Sequence, residues 1–360
     1  MSSGPSSPGP PESSSGHSGR PGGRPRPWTG WRWADAAFRS GPRVVRVLAP
    51  NPGPMTLEGT NTWIVGTGPA LVVDPGPDDE AHLAAVLREA GSIAAVLVTH
   101  GHPDHAPGAA ALAAAAGAPV FAARGLPGWE RLRDGREVEG GDAILRAVAT
   151  PGHTADHMAL FEPTLAALFT GDAVLGRGTS VIDPPEGDLG LYLRSLRAMW
   201  ALGPRVIYPG HGPVVWDAGA KLEEYLAHRA LRERQVLDAL AAGPRTPEEI
   251  VAEVYTDVSA LLHPLAARSV LAHLMKLEAE GRVARLGRPP LARFELATPA
   301  VCVRCGAPAL PRSSYCHRHS LEVLQEGPSV GASPPPARSR GPESRPGGSV
   351  EGGHDTSLTT

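Results

Sequence analysis

Residues 44–211 repeat one hydrophobic pattern, a short apolar run that stops at a turn carrying glycine, proline or a polar side chain. Val44-Val45-Arg46-Val47-Leu48 opens the series, Thr60-Asn61-Thr62-Trp63-Ile64-Val65 follows the turn-rich stretch Asn51 to Gly59, and Leu71-Val72-Val73 runs into Asp74-Pro75-Gly76. Ala94 to Val98 ends at Thr99, Phe169-Thr170-Gly171 at Asp172, and Arg205-Val206-Ile207 at Tyr208-Pro209-Gly210-His211. Apolar runs this short, bounded by breakers, predict buried strands. Helical periodicity interrupts them. Asp78 to Ala90 places Leu83, Val86 and Leu87 on one face and stops at Gly91, and Ala106 to Ala116 is so alanine-rich that helix is the only regular element it supports, with Pro107 acceptable in a first turn. The expected fold class is α/β.

After His211 the period is helical almost throughout. Lys221 to Leu240 reads as a long amphipathic helix, and Thr246-Pro247-Glu248-Glu249 supplies a cap, a first-turn proline and a capping-box glutamate ahead of Ile250, Val251 and Val254. Ala267 to Glu280 repeats Val270, Leu271, Leu274 and Leu277 and stops at Gly281; Val283 to Leu286 and Arg293 to Leu296 then form a hairpin pattern. Helix, helix, hairpin reads as a small winged helix. The expected organisation is a segment at 1–40 without a core, a catalytic domain at 41–220, a winged-helix domain at 221–298, a zinc knuckle at 299–325 and a tail at 326–360. Ser, Gly and Pro dominate both ends, which bury too little apolar surface to repay ordering and are expected to be disordered. Trp28, Trp31 and Trp33, clustered with Arg32, read as core aromatics at the edge of the folded part.

Composition narrows the function classes. The 360 residues are 41% hydrophobic with a formal net charge of −3, so no basic excess demands nucleic acid. Lysine occurs only at Lys221 and Lys276. Neither a secretory h-region nor an apolar run of membrane-spanning length is present, so a cytoplasmic location without membrane partners is expected.

The chemistry concentrates in Thr99-His100-Gly101-His102-Pro103-Asp104-His105, directly after a buried strand. Imidazoles and carboxylates suit zinc-like ions, and Gly101 and Pro103 shape a loop in which His100 and His102 can face one ion and Asp104 and His105 a second. Further motifs follow in order: Pro151-Gly152-His153-Thr154, Phe169-Thr170-Gly171-Asp172 and Tyr208-Pro209-Gly210-His211-Gly212. This series resembles the metallo-β-lactamase superfamily, whose fold is a four-layer αβ/βα sandwich of two mixed sheets between helices. The resemblance implies two zinc ions, with iron or manganese as alternatives. It assigns His100, His102 and His153 to one, Asp104, His105 and His211 to the other, and Asp172 to both as bridge. It also implies hydrolysis by water activated between the ions, with Asp104 and His157 as the side chains nearest the chemistry. His157 would protonate a leaving group, contact a phosphate or serve as hydrogen-bonding scaffold. Asp74 would hold a ligand histidine or the metal loop, and Asn61 would orient substrate or a ligand's partner.

Leu175-Gly176-Arg177-Gly178-Thr179, the Tyr208 to Pro213 motif and His228-Arg229 are similar to the beta-lactamase-like protein 2 subfamily, which carries a winged helix and includes single-stranded RNA endonucleases. The neighbouring glyoxalase II enzymes imply the alternative, a thioesterase of the hydroxyacylglutathione type. A third class is a metal-bound binding module without turnover, against which the intact ligand set argues. Glu278 and Glu280 weaken the positive face a DNA-reading helix needs, so sequence-specific DNA binding is not expected. The winged helix is expected to pack on the catalytic domain as one wall of a substrate groove, where Arg268, Lys276, Arg282, Arg285 and Arg288 could meet RNA phosphates or lie on a solvated face. The expected substrate is a small molecule or single-stranded RNA, and a homodimer is an allowed assembly.

All three cysteines fall near the end, in Cys302-x-x-Cys305 and Cys316-His317-Arg318-His319. Cys302, Cys305, Cys316 and His319 have the spacing of one structural zinc, with His317 as the competing ligand.

Overall fold

The structure is a computed structural model and describes residues 41–256, 258–289, 292–297, 304–305 and 317–326. Strands β1 (Val44–Leu48), β2 (Asn61–Val65), β3 (Pro69–Val73), β4 (Ser92–Val98), β5 (Val120–Ala122) and β6 (Glu130–Arg131) form one sheet in that order, and β7 (Glu137–Gly140), β8 (Ala143–Ala149), β9 (Met158–Glu162), β10 (Ala167–Gly171) and β11 (Val206–Pro209) form a second. Both are mixed. β1 to β3 pair antiparallel and β3 to β6 parallel, whereas β7 to β10 pair antiparallel and β11 joins β10 in parallel.

Alternation along the strands builds three layers of core. Leu71 and Val73 of β3 and Phe169 of β10 meet between the sheets, together with Trp63, Leu97, Leu145, Leu160 and Tyr208. Val72 points the other way, to Leu83 and Val86 of α1 (Glu80–Ala90) and Leu112 of α2 (Gly108–Ala116). Leu168 and Ile207 face α3 (Leu189–Ala201) and α4 (Ala218–Leu240), where Tyr192, Leu196, Leu222 and Tyr225 are buried. The result is the expected αβ/βα sandwich.

The short local signals predicted their elements well. α1 is capped by the Asp79 side chain and stops at Gly91, and α2 begins behind Pro107. α5 (Pro247–Val254) carries the complete capping box between Thr246 and Glu249. With α6 (His263–Ala279), β12 (Val283–Leu286) and β13 (Arg293–Leu296) it encloses the core of Val251, Val270, Leu274, Leu277 and Phe294. The boundary expected at 220/221 falls inside α4, whose first half is packed in the catalytic core and whose second half, through Val236 and Leu240, is packed in the winged-helix core. One helix thus serves both. Ala272 of α6 joins the catalytic core as well, so the winged helix does pack on the sandwich.

Residues 298–360 separate from 1–297 as a second unit. Its described part includes helix α7 (His317–Glu326), with His319 half-buried, and exposed Cys305. Cys302 and Cys316, and hence the proposed knuckle as a whole, lie outside the described residues, as do both terminal segments and the tryptophan cluster. Among the described residues no helix is long and apolar enough to cross a membrane.

Candidate metal centre

Every strand that ends at the site delivers one part of it. β4 leads into His100–His105, β3 into Asp74, the turn between β8 and β9 carries His153, β10 leads into Asp172 and β11 into His211. The side chains gather as expected, His100, His102, His153 and Asp172 in one group and Asp104, His105 and His211 in the other, with ligand atoms in each group within 4.8 Å of one another.

Hydrogen bonds on the outer ring nitrogens decide what the inner ones can do. His105 donates through Nδ1 to Asp74 Oδ2 at 2.9 Å, and His211 through Nδ1 to the Gly59 carbonyl at 3.1 Å. Both are thereby oriented with Nε2 inward, 3.2 Å apart, and His211 Nε2 also lies 3.0 Å from Asp104 and 3.2 Å from Asp172 Oδ1. In the other group, His100 Nδ1 donates to the Thr99 hydroxyl at 3.0 Å, which donates in turn to Asp74 Oδ2 at 2.8 Å. His153 Nδ1 donates to the Val181 carbonyl at 2.9 Å. The inner nitrogens, His100 Nε2 and His153 Nε2, both approach His102 Nδ1, at 3.0 and 3.2 Å. Two groups of imidazole nitrogens and carboxylate oxygens thus face one another at short range, a donor set that fits divalent metal. Asp172 is placed to bridge, since Oδ1 lies beside His105 and His211 while Oδ2 is 3.7 Å from His153.

Electrostatics agree. Burial and the neighbouring His105 push His100 well below the ordinary histidine range, and burial lowers His153 against the pull of Asp172. Burial alone would lower His211 too, but its contacts with Asp104 and Asp172 hold it up at about 9; the same pairing keeps both carboxyls well below the carboxylate range despite burial. Asp104 and Asp172 are thus ready ligands.

Asp74 serves both groups. It takes His105 directly and His100 through Thr99, accepts from Thr99 N–H at 2.8 Å, and holds a left-handed φ of 50°, a conformation costly for a side-chain-bearing residue that the surrounding bonds enforce. Asn61 is fully buried and cannot touch substrate. Of its two expected roles the structure selects the second: Nδ2 donates to the Pro209 and Gly212 carbonyls, each at 2.9 Å, clamping the turn that carries His211. Gly210 in that turn is required, because a Cβ there would stand 2.7 Å from His105 Cε1 and 2.9 Å from Asp172 Oδ1.

His157 sits behind His100, with ring centroids 5.0 Å apart, and shares a 2.8 Å hydrogen bond with Thr150 through Nδ1. It is 1% exposed, and burial together with His153 drives it well below the ordinary range. Of the roles expected for it, this placement behind His100 and the bond to Thr150 favour the hydrogen-bonding scaffold.

Beside the first group opens a cleft of about 810 Å³ whose lining includes His157, Asp156, Glu186, Arg124, Arg131 and Arg133. Glu186 lies 3.7 Å from His102 Nε2, which puts the cleft in reach of the metals. None of the three arginines pairs with a described carboxylate. The arginines expected to meet RNA behave differently. Arg268 pairs with Asp183, Lys276 with Glu233 and Glu280, Arg282 with Glu233, and Arg285 with Glu278. The cleft arginines, Thr99 and Glu186 escaped the sequence reading; only Thr99, beside the histidine loop, had a local signal.

Comparison with known proteins agrees with this geometry. Residues 55–211 match the family described as Metallo-beta-lactamase superfamily, and residues 246–291 the Beta-lactamase associated winged helix domain. The chain is 36% identical over 256 residues to a Beta-lactamase-like protein 2 homolog of Caenorhabditis elegans, covering 67% of this chain and 85% of that protein. It is 37% identical to an Atrochrysone carboxyl ACP thioesterase of Aspergillus chevalieri, covering 68% and 83%. The solved metallo-beta-lactamase family protein of Thermus thermophilus shares 25% identity at a TM-score of 0.60, covering 70% of this chain and 98% of that one. With both domains matched and the ligand set complete, the chain belongs to the metallo-β-lactamase superfamily, as a member with a C-terminal winged helix.

Proposed function

We propose that this metallo-β-lactamase-fold hydrolase cleaves phosphodiester bonds in single-stranded RNA, using two divalent ions, zinc first among them. The observation that carries the reading is the cleft beside the metals with its three unpaired arginines. A single strand presents a phosphate at every nucleotide, and guanidinium groups that spend no charge on neighbouring carboxylates are free to take them. Asp134 and Asp156 in the same cleft are engaged instead, accepting from Ala149 N–H at 2.8 Å and the Thr154 hydroxyl at 2.7 Å. The resemblance to a subfamily that includes single-stranded RNA endonucleases supports the same reading.

Bound ions would lower the pKa of water to give a nucleophile at neutral pH and offset charge developing on the phosphate. The chain's own residues do the rest. His100, His102 and His153 would hold one ion and Asp104, His105 and His211 the other, with Asp172 shared between them, and the arginines would hold the flanking phosphates so that the scissile one is oriented toward this cluster. His157, neutral and buried, keeps His100 in place.

A thioester is the second reading, favoured by the 37% identity to a carrier-protein thioesterase. A thiolate leaves without a protonated side chain, which suits a site where Asp104 and Asp172 are held well below the carboxylate range. Metal-loaded protein incubated with labelled single-stranded RNA, and in parallel with acyl thioesters and a thiol reporter, separates the two. RNA cleavage that disappears in His102→Ala and drops at least tenfold in Arg131→Glu/Arg133→Glu is expected; thioester turnover without RNA cleavage would replace the first reading with the second.

A further inference from the structure

We propose that the winged helix and the helix leading to it act on the metal centre from outside, with Arg268 and Arg229 as positioning residues for the ligand His153. The link is the long irregular segment between β10 and α3. Its Val181 carbonyl fixes His153 through Nδ1 at 2.9 Å, so the direction of the His153 lone pair depends on where that segment sits. A carbonyl in irregular backbone holds its place only if its neighbours are tied down.

They are tied from α3, α4 and α6. Tyr192 of α3 donates to Ala173 O at 2.7 Å, and Leu175 N–H donates to the Tyr225 hydroxyl of α4 at 2.9 Å. Next to Val181, Arg229 of α4 donates to the Ser180 carbonyl, its guanidinium 5.4 Å above the Tyr192 ring. On the far side Arg268 of α6 grips Asp183 through Nε at 2.5 Å and donates through Nη2 to the Pro184 carbonyl. The pair brackets Val181.

Two features mark these arginines out. Arg229 is 4% exposed, pairs with no described carboxylate, and has no hydrogen-bond partner for Nε. Burying a guanidinium without a counter-ion costs stability, so packing alone does not account for it. Arg268 rises from the helix that carries Val270 and Leu274 into the winged-helix core, yet its carboxylate partner lies in the catalytic segment, whereas Lys276, Arg282, Arg285 and Arg293 pair with acids of α4, α5 and α6 or the turn following α6. The winged helix therefore reaches the site through the backbone that aims His153, in addition to whatever the cleft does with substrate.

The test is a chelator-competition titration of the full chain loaded with two equivalents of zinc, repeated with cobalt to read the ligand field. Arg268→Ala and Asp183→Asn should each weaken one of the two metals about three- to tenfold, leave the other within about twofold, and shift the cobalt spectrum. Arg268→Lys should recover most of the loss. Arg293→Ala, which removes a winged-helix ion pair that does not touch the segment, should change neither metal. Arg229→Met should act as Arg268→Ala does; if it does not fold, the two exposed variants decide. Unchanged affinities in Arg268→Ala and Asp183→Asn, or an equal loss in Arg293→Ala, would overturn the proposal. His153→Ala separates it from the ligand assignment beneath it: retention of both metals there would mean that His153 is no ligand at all.

Discussion

The two ligand groups are built from the same residue types but held by different parts of the molecule. His105 and His211 are fully buried and lean on groups at the ends of the first sheet or just before it, Asp74 and the Gly59 carbonyl, while Asn61 pins the His211 turn. In the other group His102 has a third of its side chain exposed, its Nε2 facing only Glu186 at 3.7 Å, and His153 depends on a carbonyl in irregular backbone. The first arrangement is as rigid as the sandwich. The second can be adjusted from outside, which is what a module appended to a catalytic domain can exploit.

The strongest way to break this contrast is Asp74→Ala, which removes the acceptor of His105 and, through Thr99, of His100. Both metals should weaken, by about 100-fold on the His105 side, with stability reduced by roughly 3 kcal/mol for the orphaned buried donors; competition titration and chemical denaturation measure the two effects. Removing one group's own support sharpens it. Asn61→Ala should leave the Pro209 and Gly212 carbonyls without their donor and lower affinity on the His211 side about tenfold, while the His153 side stays put.

Metal removal gives the His211 side a pH signature of its own at alkaline pH. His211, held at about 9 without metal, contributes stability that is complete below its unfolded value near 6.5 and is lost as pH rises through about 9. The metal-free protein should melt lower, by roughly a few degrees, at pH 9.5 than at pH 7.5, a range above that in which the histidines lowered by burial affect stability, and the loaded protein should not show that loss, because an ion takes the proton's place. The smallest effect belongs to the exposed side: Glu186→Gln should alter metal affinity by no more than about threefold and leave stability unchanged, since a half-exposed pair at that distance contributes little.

How much of this was legible in the chain differs from part to part. The loop from His100 to His105 crowds its imidazoles and carboxylate beside one strand-like run and could be named from its own residues, whereas His153, Asp172 and His211 were assigned through the family resemblance. The capping box at Thr246 is likewise local, four residues whose bonds close among themselves. The strands β5 to β9 and helix α3 went unassigned, because segments such as Glu137 to Gly140 have too few apolar positions to show a period. The role of Asn61 stayed open for a different reason: both readings needed the same side chain, and only its distance from Pro209 and Gly212 chose between them.

By itself, then, the amino-acid order determined the ligand inventory, the strand ends that deliver it and the two-domain plan, because periodicity and capping are decided within a few neighbouring residues. Tertiary structure alone decided which nitrogen of each histidine faces the metals, since the acceptors at Gly59 and Val181 are backbone carbonyls that every residue possesses. It also decided which arginines remain free. Arg131 and Arg268 are chemically identical, and only the fold sets one in an open cleft and presses the other against Asp183.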